Sequence, residues 1–323
     1  MPMNIAIAGS EELISETLLE MLQERNFPVA QLFLLTALDA EDQDSVRFNS
    51  QDVYVQSIGN FDWSQAELVF FAGNGEDYLS AFNAAEQQGC KIIDLRSAEF
   101  KTANYGLSLP AQNEDMGAAV HTCPEDLTII IANMIHPFFE ETAISEVKIV
   151  TLEPVSGYGK KGTEALAKEI AQLMNGRPVE NAQFPAQLAF NTVPVDKNAV
   201  CLQELQKLYP AEKLHPVISS LLVPVFFGTT VIVDIMLEDA LPKEDIIRML
   251  SSRDEVQLSE ELLTPVTHGS NQSKVSMQVT MDDTNGNTDI HSFRVMLVAD
   301  LLRSGKISNA ILLAEQFGRP IVH

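Results

Sequence analysis

The run VHTCPEDLTIIIANMIHPF, residues 120–138, holds a cysteine where a thiol could do chemistry. Cys123 precedes an apolar stretch of helical length, and a helix N-terminus lowers the pKa of a thiol beside it, favouring the nucleophilic thiolate. Its neighbours pull the other way: Pro124 follows directly, and the carboxylates of Glu125 and Asp126 disfavour another negative charge. Cys123 is therefore either a nucleophile or a small residue in a helix-capping turn. His121 and His136 lie near it in sequence, each able to exchange a proton near neutral pH or to serve local structure. A second stretch, GSEELIS at residues 9–15, stands between a short apolar run and a helical pattern. Such a turn holds a pyrophosphate when glycines let the backbone approach and the helix start offers N–H donors. Here Gly9 is the one glycine, and Glu11 and Glu12 add two carboxylates. Carboxylates there favour the helix start by about 0.3–1 kcal/mol each and compete for the place of a phosphate. A solvated helix start and a retained dinucleotide site are both open.

These residues need elements to hold them. Residues 4–8 read as a buried parallel strand. Leu13, Ile14, Leu18, Leu19, Met21 and Leu22 then recur at helical spacing, with Ser10 as the expected cap and Asn26-Phe27-Pro28 as the stop. Residues 29–36, 68–72 and 91–94 read as further strands, and 78–88 as a helix stopped by Gly89. Alternating strand and helix predicts a parallel sheet with helices on both faces. The acidic stretch 39–44 reads as a solvated loop. After about residue 125 the pattern changes to a buried helix over 127–139, a strand over 147–155 and an amphipathic helix over 162–174. A β-rich run over 221–237, interrupted at Gly-Thr-Thr, precedes a short helix over 243–252 opened by Pro242. Strands over 274–282 and 291–299, joined by a polar turn at 284–287, and a final helix over 307–317 complete a mixed α+β half.

The chain has 323 residues, room for two domains, and 45 acidic against 21 basic residues give a formal charge of −24. That surface repels nucleic acid and anionic lipid, so neither is an expected partner. No apolar run reaches the roughly 18 residues needed to span a membrane, and no signal peptide is read at the N-terminus. Cys90, Cys123 and Cys201 form an odd, sparse set without metal-ligand spacing, which suits a reducing cytoplasm.

Three stretches carry a resemblance: TLEPVSGYGKKG at 151–162, FNTVPV at 190–195 and FRVMLVADLLRSGKISNAILLAEQ at 293–316. Together with QERNFPV at 23–29 and GCKIIDLRSAEF at 89–100, they resemble the aspartate-semialdehyde dehydrogenase family over almost the whole chain, and most of all its Usg branch. The resemblance implies an α/β fold: an N-terminal Rossmann-like, doubly wound parallel sheet, residues 1–128 with 303–323. An α+β dimerisation domain with a mixed sheet, of the glyceraldehyde-3-phosphate-dehydrogenase type, would span 129–302. It also implies a homodimer, or a heterodimer with a related dehydrogenase; the apolar strands 232–237 and 295–299 are compatible with an interface but equally with a core. The family enzyme uses NADP and phosphate to convert aspartate semialdehyde to aspartyl phosphate through a cysteine thioester.

The resemblance also implies positions for each working part. The glycines of the family turn fall at Gly9, Glu12 and Ser15, so two of three are replaced. Residues 36–42, TALDAED, stand where the family has small polar and basic side chains for the extra phosphate of NADP, yet they are acidic. The family nucleophile lies in a turn before a buried helix. Aligning by Pro137 puts Asp126 there, and aligning Cys123 needs an insertion. LLVPVFFGTT at 221–230 keeps the strand and glycine that precede the general-base histidine but puts Thr229 in its place. The arginine that clamps the substrate carboxylate becomes Leu222, and a glutamine before the Val-Ser-Gly turn becomes Glu153. Arg303, Lys306 and Asn309 match in the last loop and helix. The expectation is a family member that keeps fold and dimer but has lost cofactor and catalysis, acting as a binding or regulatory protein. The alternative is an NADP- or NAD-dependent aldehyde oxidoreductase with Cys123 as nucleophile and an altered substrate.

Overall fold

The computed structural model describes residues 2–38, 45–100, 105–110, 118–180, 183–196, 199–209, 214–281 and 289–317. The acidic loop expected at 39–44, most of the stretch 36–42 and the turn at 284–287 lie outside them. The chain divides into two compact units, Met1–Ile129 with Gly305–His323, and Ile130–Ser304.

The first unit runs β1 (Met3–Ala8), α1 (Leu13–Glu24), β2 (Val29–Thr36), β3 (Ser45–Phe48), β4 (Gln51–Ser57), β5 (Leu68–Phe71), α2 (Glu76–Gln87), β6 (Lys91–Asp94), β7 (Val120–Thr122) and the start of α3 (Asp126–Ile135). Its sheet has the order β3-β4-β2-β1-β5-β6-β7, parallel throughout except for the β3–β4 hairpin. The inner strands are nearly continuous apolar runs because both faces are covered. Ile5, Ala6, Ile7 and Ala8 have no exposed surface. Strand order reverses at β1, with β2 on one side and β5 on the other, so the crevice at the carboxyl ends of β1 and β5 is the topological switch point.

One local expectation fails. Ser10 does not cap α1; the N-cap residue is Glu12, whose side chain makes no capping bond. The chain first closes a turn at Gly9, φ +99°, in which the Glu12 N–H donates to the Gly9 carbonyl at 3.1 Å, and so the helix begins later than Ser10 could reach.

The second unit runs α4 (Phe138–Glu141), β8 (Ile144–Glu153), α5 (Gly159–Met174), β9 (Val193–Val195), α6 (Ala199–Leu208), β10 (Pro216–Leu222), β11 (Thr229–Pro242), α7 (Lys243–Leu250), β12 (Val256–Leu258), α8 (Pro265–His268), β13 (Val275–Met281) and β14 (Asp289–Ala299). Its sheet is mixed, in the order β12-β13-β14-β11-β8-β10-β9. The run expected as one interrupted strand over 221–237 is two strands that flank β8, β10 parallel to it and β11 antiparallel. Pro224 and Gly228 reroute the chain between them. At Gly228, φ +85°, a Cβ would meet the Pro265 carbonyl and Gly269, so the backbones touch there. The helix expected over 127–139 breaks at Pro137 into α3 and α4, since proline cannot continue the hydrogen-bond ladder. An irregular turn over Arg303–Ile307, broken at Gly305 (φ −89°, ψ −118°), leads into α9 (Ser308–Phe317), which belongs to the first unit. Among the described residues no helix is long and apolar enough to cross a membrane.

Glu169 on α5 shows how the second unit holds its irregular chain. It is 1% exposed, and its Oε2 accepts the N–H groups of Leu188 at 2.8 Å and Ala189 at 2.7 Å. Glu169→Ala leaves two buried donors unpaired and should cost about 2–4 kcal/mol. Glu169→Gln, which keeps an acceptor, should cost less. Urea unfolding midpoints of the two variants against the wild type check this order.

Candidate functional site

Cys123 follows β7, and its backbone N–H donates to the Asp94 carbonyl at 3.0 Å, extending the sheet by one residue. The side chain has no exposed surface. Its Sγ accepts from Asn309 Nδ2 on α9 at 3.3 Å, and the same amide donates to the Ser108 carbonyl at 3.1 Å. These two donations fix the amide orientation and leave Asn309 Oδ1 buried without a hydrogen-bond partner.

Glu125 and Asp126, next along the chain, are not bare charges. Lys306 places its ammonium 2.6 Å from Glu125, while its backbone N–H donates to Asp126 Oδ1 at 2.7 Å. A Cβ at Gly305 would strike the Asp126 side chain, so this close approach needs glycine. Burial pulls the Lys306 ammonium down, but Asp126, then Glu125, and lastly Cys123 together outweigh it and hold the lysine above its ordinary range. The two carboxylates also suit the positive start of α3. His121 faces Ser108 Oγ at 3.2 Å through Nδ1 and packs edge-on against Phe317, centroids 5.1 Å apart. His136 belongs to the second unit, where its ring lies 6.4 Å from that of Tyr209.

The turn at residues 9–15 is self-contained. The N–H groups of Gly9 and Ser10 donate to the Leu35 carbonyl at 2.8 and 3.1 Å, and Ser15 Oγ donates to the Gly9 carbonyl at 2.7 Å. Gly9 lies so close to Gly73, past β5, that a Cβ would overlap its backbone. Burial, and then the neighbouring Glu11 charge, push the Glu12 carboxyl above its usual range. Glu11 accepts the hydroxyl proton of Tyr78, and that hydroxyl in turn accepts the Ala37 N–H at 3.0 Å. Burial, and next the bond to Glu11, hold the Tyr78 phenol far above its ordinary range, so it stays a donor.

In the second unit, Glu153 ends β8 and is the register partner of Leu222 on β10. The Thr151 hydroxyl donates to Glu153 Oε1 at 3.3 Å and also shares a hydrogen bond with Ser220. Leu222 is fully buried among Val155, Leu166, Phe184, Leu188 and Val193. Thr229 opens β11 opposite Ala299 and is 4% exposed. Glu153, Leu222 and Thr229 thus share the second unit, whereas Cys123 and the Gly9, Glu12 and Ser15 turn lie in the first. Tyr78 and the pairing of Lys306 with the Cys123 turn were not foreseen from the sequence. Tyr78 reads as an ordinary apolar helix position, and Lys306 stands 181 positions beyond Glu125 with no local pattern to join them. Among the described residues no group of three His, Cys, Asp or Glu is placed to hold a metal ion.

Comparison with known proteins adds a lineage. The model of the semialdehyde dehydrogenase NAD binding domain matches residues 4–145, and that of the semialdehyde dehydrogenase dimerisation domain matches 135–303. Aspartate-semialdehyde dehydrogenase 2 of Vibrio cholerae is 30% identical over 97% of this chain and 96% of its own. A USG-1 protein homolog of Azotobacter vinelandii is 27% identical over 97% and 96%. The crystal structure of aspartate semialdehyde dehydrogenase II from Vibrio cholerae matches both chains in full, with a TM-score of 0.87 at 29% identity.

Lys306→Met would leave the half-buried Glu125 carboxylate without its ammonium and should destabilise by about 1–3 kcal/mol, with Lys306→Met/Glu125→Met recovering part of the loss. The lysine sits above its ordinary value in the folded chain. Its contribution is therefore whole below about pH 10.4, the unfolded value, and is lost as pH rises through the folded one. Urea unfolding of wild type and Lys306→Met should give a stability gap that stays constant from about pH 6 to 9. A gap that closes within that window would contradict the ion pair.

Proposed function

Since the chain belongs to the semialdehyde dehydrogenase family, we propose that it is a member that keeps the scaffold and dimerising surface but not the chemistry, acting as a binding or regulatory protein. The observation that carries this reading is the charge balance beside Cys123. The Lys306 ammonium pairs with Glu125, and the backbone N–H of the same residue goes to Asp126. Both carboxylates draw on the Lys306 charge that a thiolate would need, and the thiol itself is fully buried. The positions that the family resemblance assigns to a base and a carboxylate clamp support the same reading. Thr229 cannot carry a proton near neutral pH, Leu222 is packed in an apolar cluster, and Glu153 repels an acidic substrate.

A second reading draws on the Asn309 amide, whose donation to Cys123 Sγ would favour a thiolate. The chain would then be an aldehyde oxidoreductase working with NADP or NAD on a changed substrate.

The expected partner is a second copy, or a related dehydrogenase chain, bound through the open face of the second sheet. Glu146, Lys148, Asp234, Met236, Thr280 and Arg294 line a shallow concavity of about 440 Å³ there. Arg294 grips Asp234 at 2.6 and 2.9 Å, and the hydrogen bond from Arg294 holds the Asp234 carboxyl below its usual range. Charges of alternating sign across neighbouring strands are self-complementary about a two-fold axis.

Two measurements test the reading. The purified chain, given aspartate semialdehyde, phosphate and NADP or NAD, should form no reduced nucleotide, and iodoacetamide should label Cys123 only after denaturation. Turnover that is lost in Cys123→Ser would overturn it in favour of the second reading. Light scattering should give about twice the 35.6 kDa of one chain. Arg294→Glu should shift that mass toward the monomer.

A further inference from the structure

We propose that Tyr78 and Glu11 form an internal plug that keeps a nicotinamide dinucleotide out of the carboxyl-end crevice of the first sheet. A dinucleotide in such a fold lies across the ends of the strands at the switch point. Its pyrophosphate sits on the first turn and its ribose lies at the end of the second strand. In this chain those places are bridged from within. The Tyr78 ring packs against Gly73 beyond β5, so closely that a Cβ on Gly73 would overlap it. Its hydroxyl occupies the Ala37 N–H just past β2, at 3.0 Å, and donates to Glu11 in the first turn. One side chain thus ties together the ends of three neighbouring strands, β2, β1 and β5.

The plug also has the wrong charge for the ligand. Glu11 holds a carboxylate at the mouth of the turn, with Glu12 beside it, and a pyrophosphate would bring two more negative charges into that space. Part of the backbone is committed as well: the N–H groups of Gly9 and Ser10 go to the Leu35 carbonyl and that of Glu12 to the Gly9 carbonyl. The residues present therefore do not fit the cofactor that the domain type implies. This deepens the proposed function by naming what fills the site, yet it stands on residues separate from the Cys123 turn.

Calorimetric titration of the full chain with NADP and NAD tests it, alongside Glu11→Ala and Tyr78→Phe, with circular dichroism confirming that each variant is folded. Wild type should show no saturable binding up to about 1 mM, and each variant should bind NADP or NAD with Kd below about 0.1 mM. Hydrogen exchange at the Ala37 amide should be slow in wild type and at least about tenfold faster in Tyr78→Phe. Saturable micromolar binding by wild type would overturn the plug while leaving the reading of a silent thiol intact. Folded variants that bind no better than wild type, or an Ala37 amide that exchanges equally fast in both, would overturn it too. Aldehyde oxidation by wild type would instead sink the proposed function.

Discussion

A lysine bound by two carboxylates, one at its ammonium and one at its backbone N–H, fixes the last helix within the first unit. Moving an ammonium out of water is costly, and Lys306 is 6% exposed. It is tolerable here because Glu125 takes the side chain and Asp126 takes the backbone N–H of the same residue, while Gly305 gives up its Cβ to admit the Asp126 carboxylate. The start of α3 and the start of α9 are thereby one electrostatic object. Asn309, at the start of α9 just after this anchor, then reaches Ser108 and Cys123. The thiol is held by the same device that anchors the C-terminal helix, and its environment follows from what that anchor needs.

The opposite end of the unit is organised by a similar economy. Gly9 lets two turns touch where its side chain would push them apart, and Gly73 leaves room for the Tyr78 ring packed on it. Buried among apolar residues, its hydroxyl needs partners, which it finds in Glu11 and Ala37. Both places thus follow one rule. At each, the chain's own side chains take up part of the polar surface, and a group already answered has less to gain from a ligand.

How much of this was legible in the sequence depended on the range of the interaction. β1, β2, β5 and β6 announced themselves as continuous apolar runs because both their faces are covered, and the ends of α2 and α5 were marked by glycine and asparagine. The hairpin of β3 and β4 was not read. Its strands are mostly exposed and polar, and its turn rests on Asn49 and Ser50 at φ +46° and +66°, a left-handed pair in which the usual glycine is missing. The split of 221–237 into β10 and β11 was hidden because both halves are β-rich, and only the backbone contact at Gly228 shows where the chain must turn away. At the site, Glu12, Leu222 and Thr229 were singled out as working positions only through the family resemblance. The partners there could not be named, since the Lys306 pairing and the Tyr78 hydroxyl join residues 180 and 67 positions apart.

Under the proposed function, the residues at the positions that the resemblance assigns also make physical sense as a set. A buried arginine waiting for a substrate carboxylate is an unpaired charge when the site is empty, and a histidine poised as a base must stay only partly satisfied. Leu222 instead joins Val155, Leu166 and Phe184 in an apolar cluster, and Thr229 completes a strand end. Such changes relieve strain that an enzyme tolerates for the sake of turnover, and none of them disturbs the glycines at 9, 159 and 228, each at positive φ, on which the turns depend. A chain released from catalysis would be expected to stabilise its site and keep its turns, whereas a chain moving to a new substrate would be expected to keep a base and an open thiol. If Thr229 stands at the base position, as proposed above, a threonine there and a fully buried thiol beside Asn309 fit the first course.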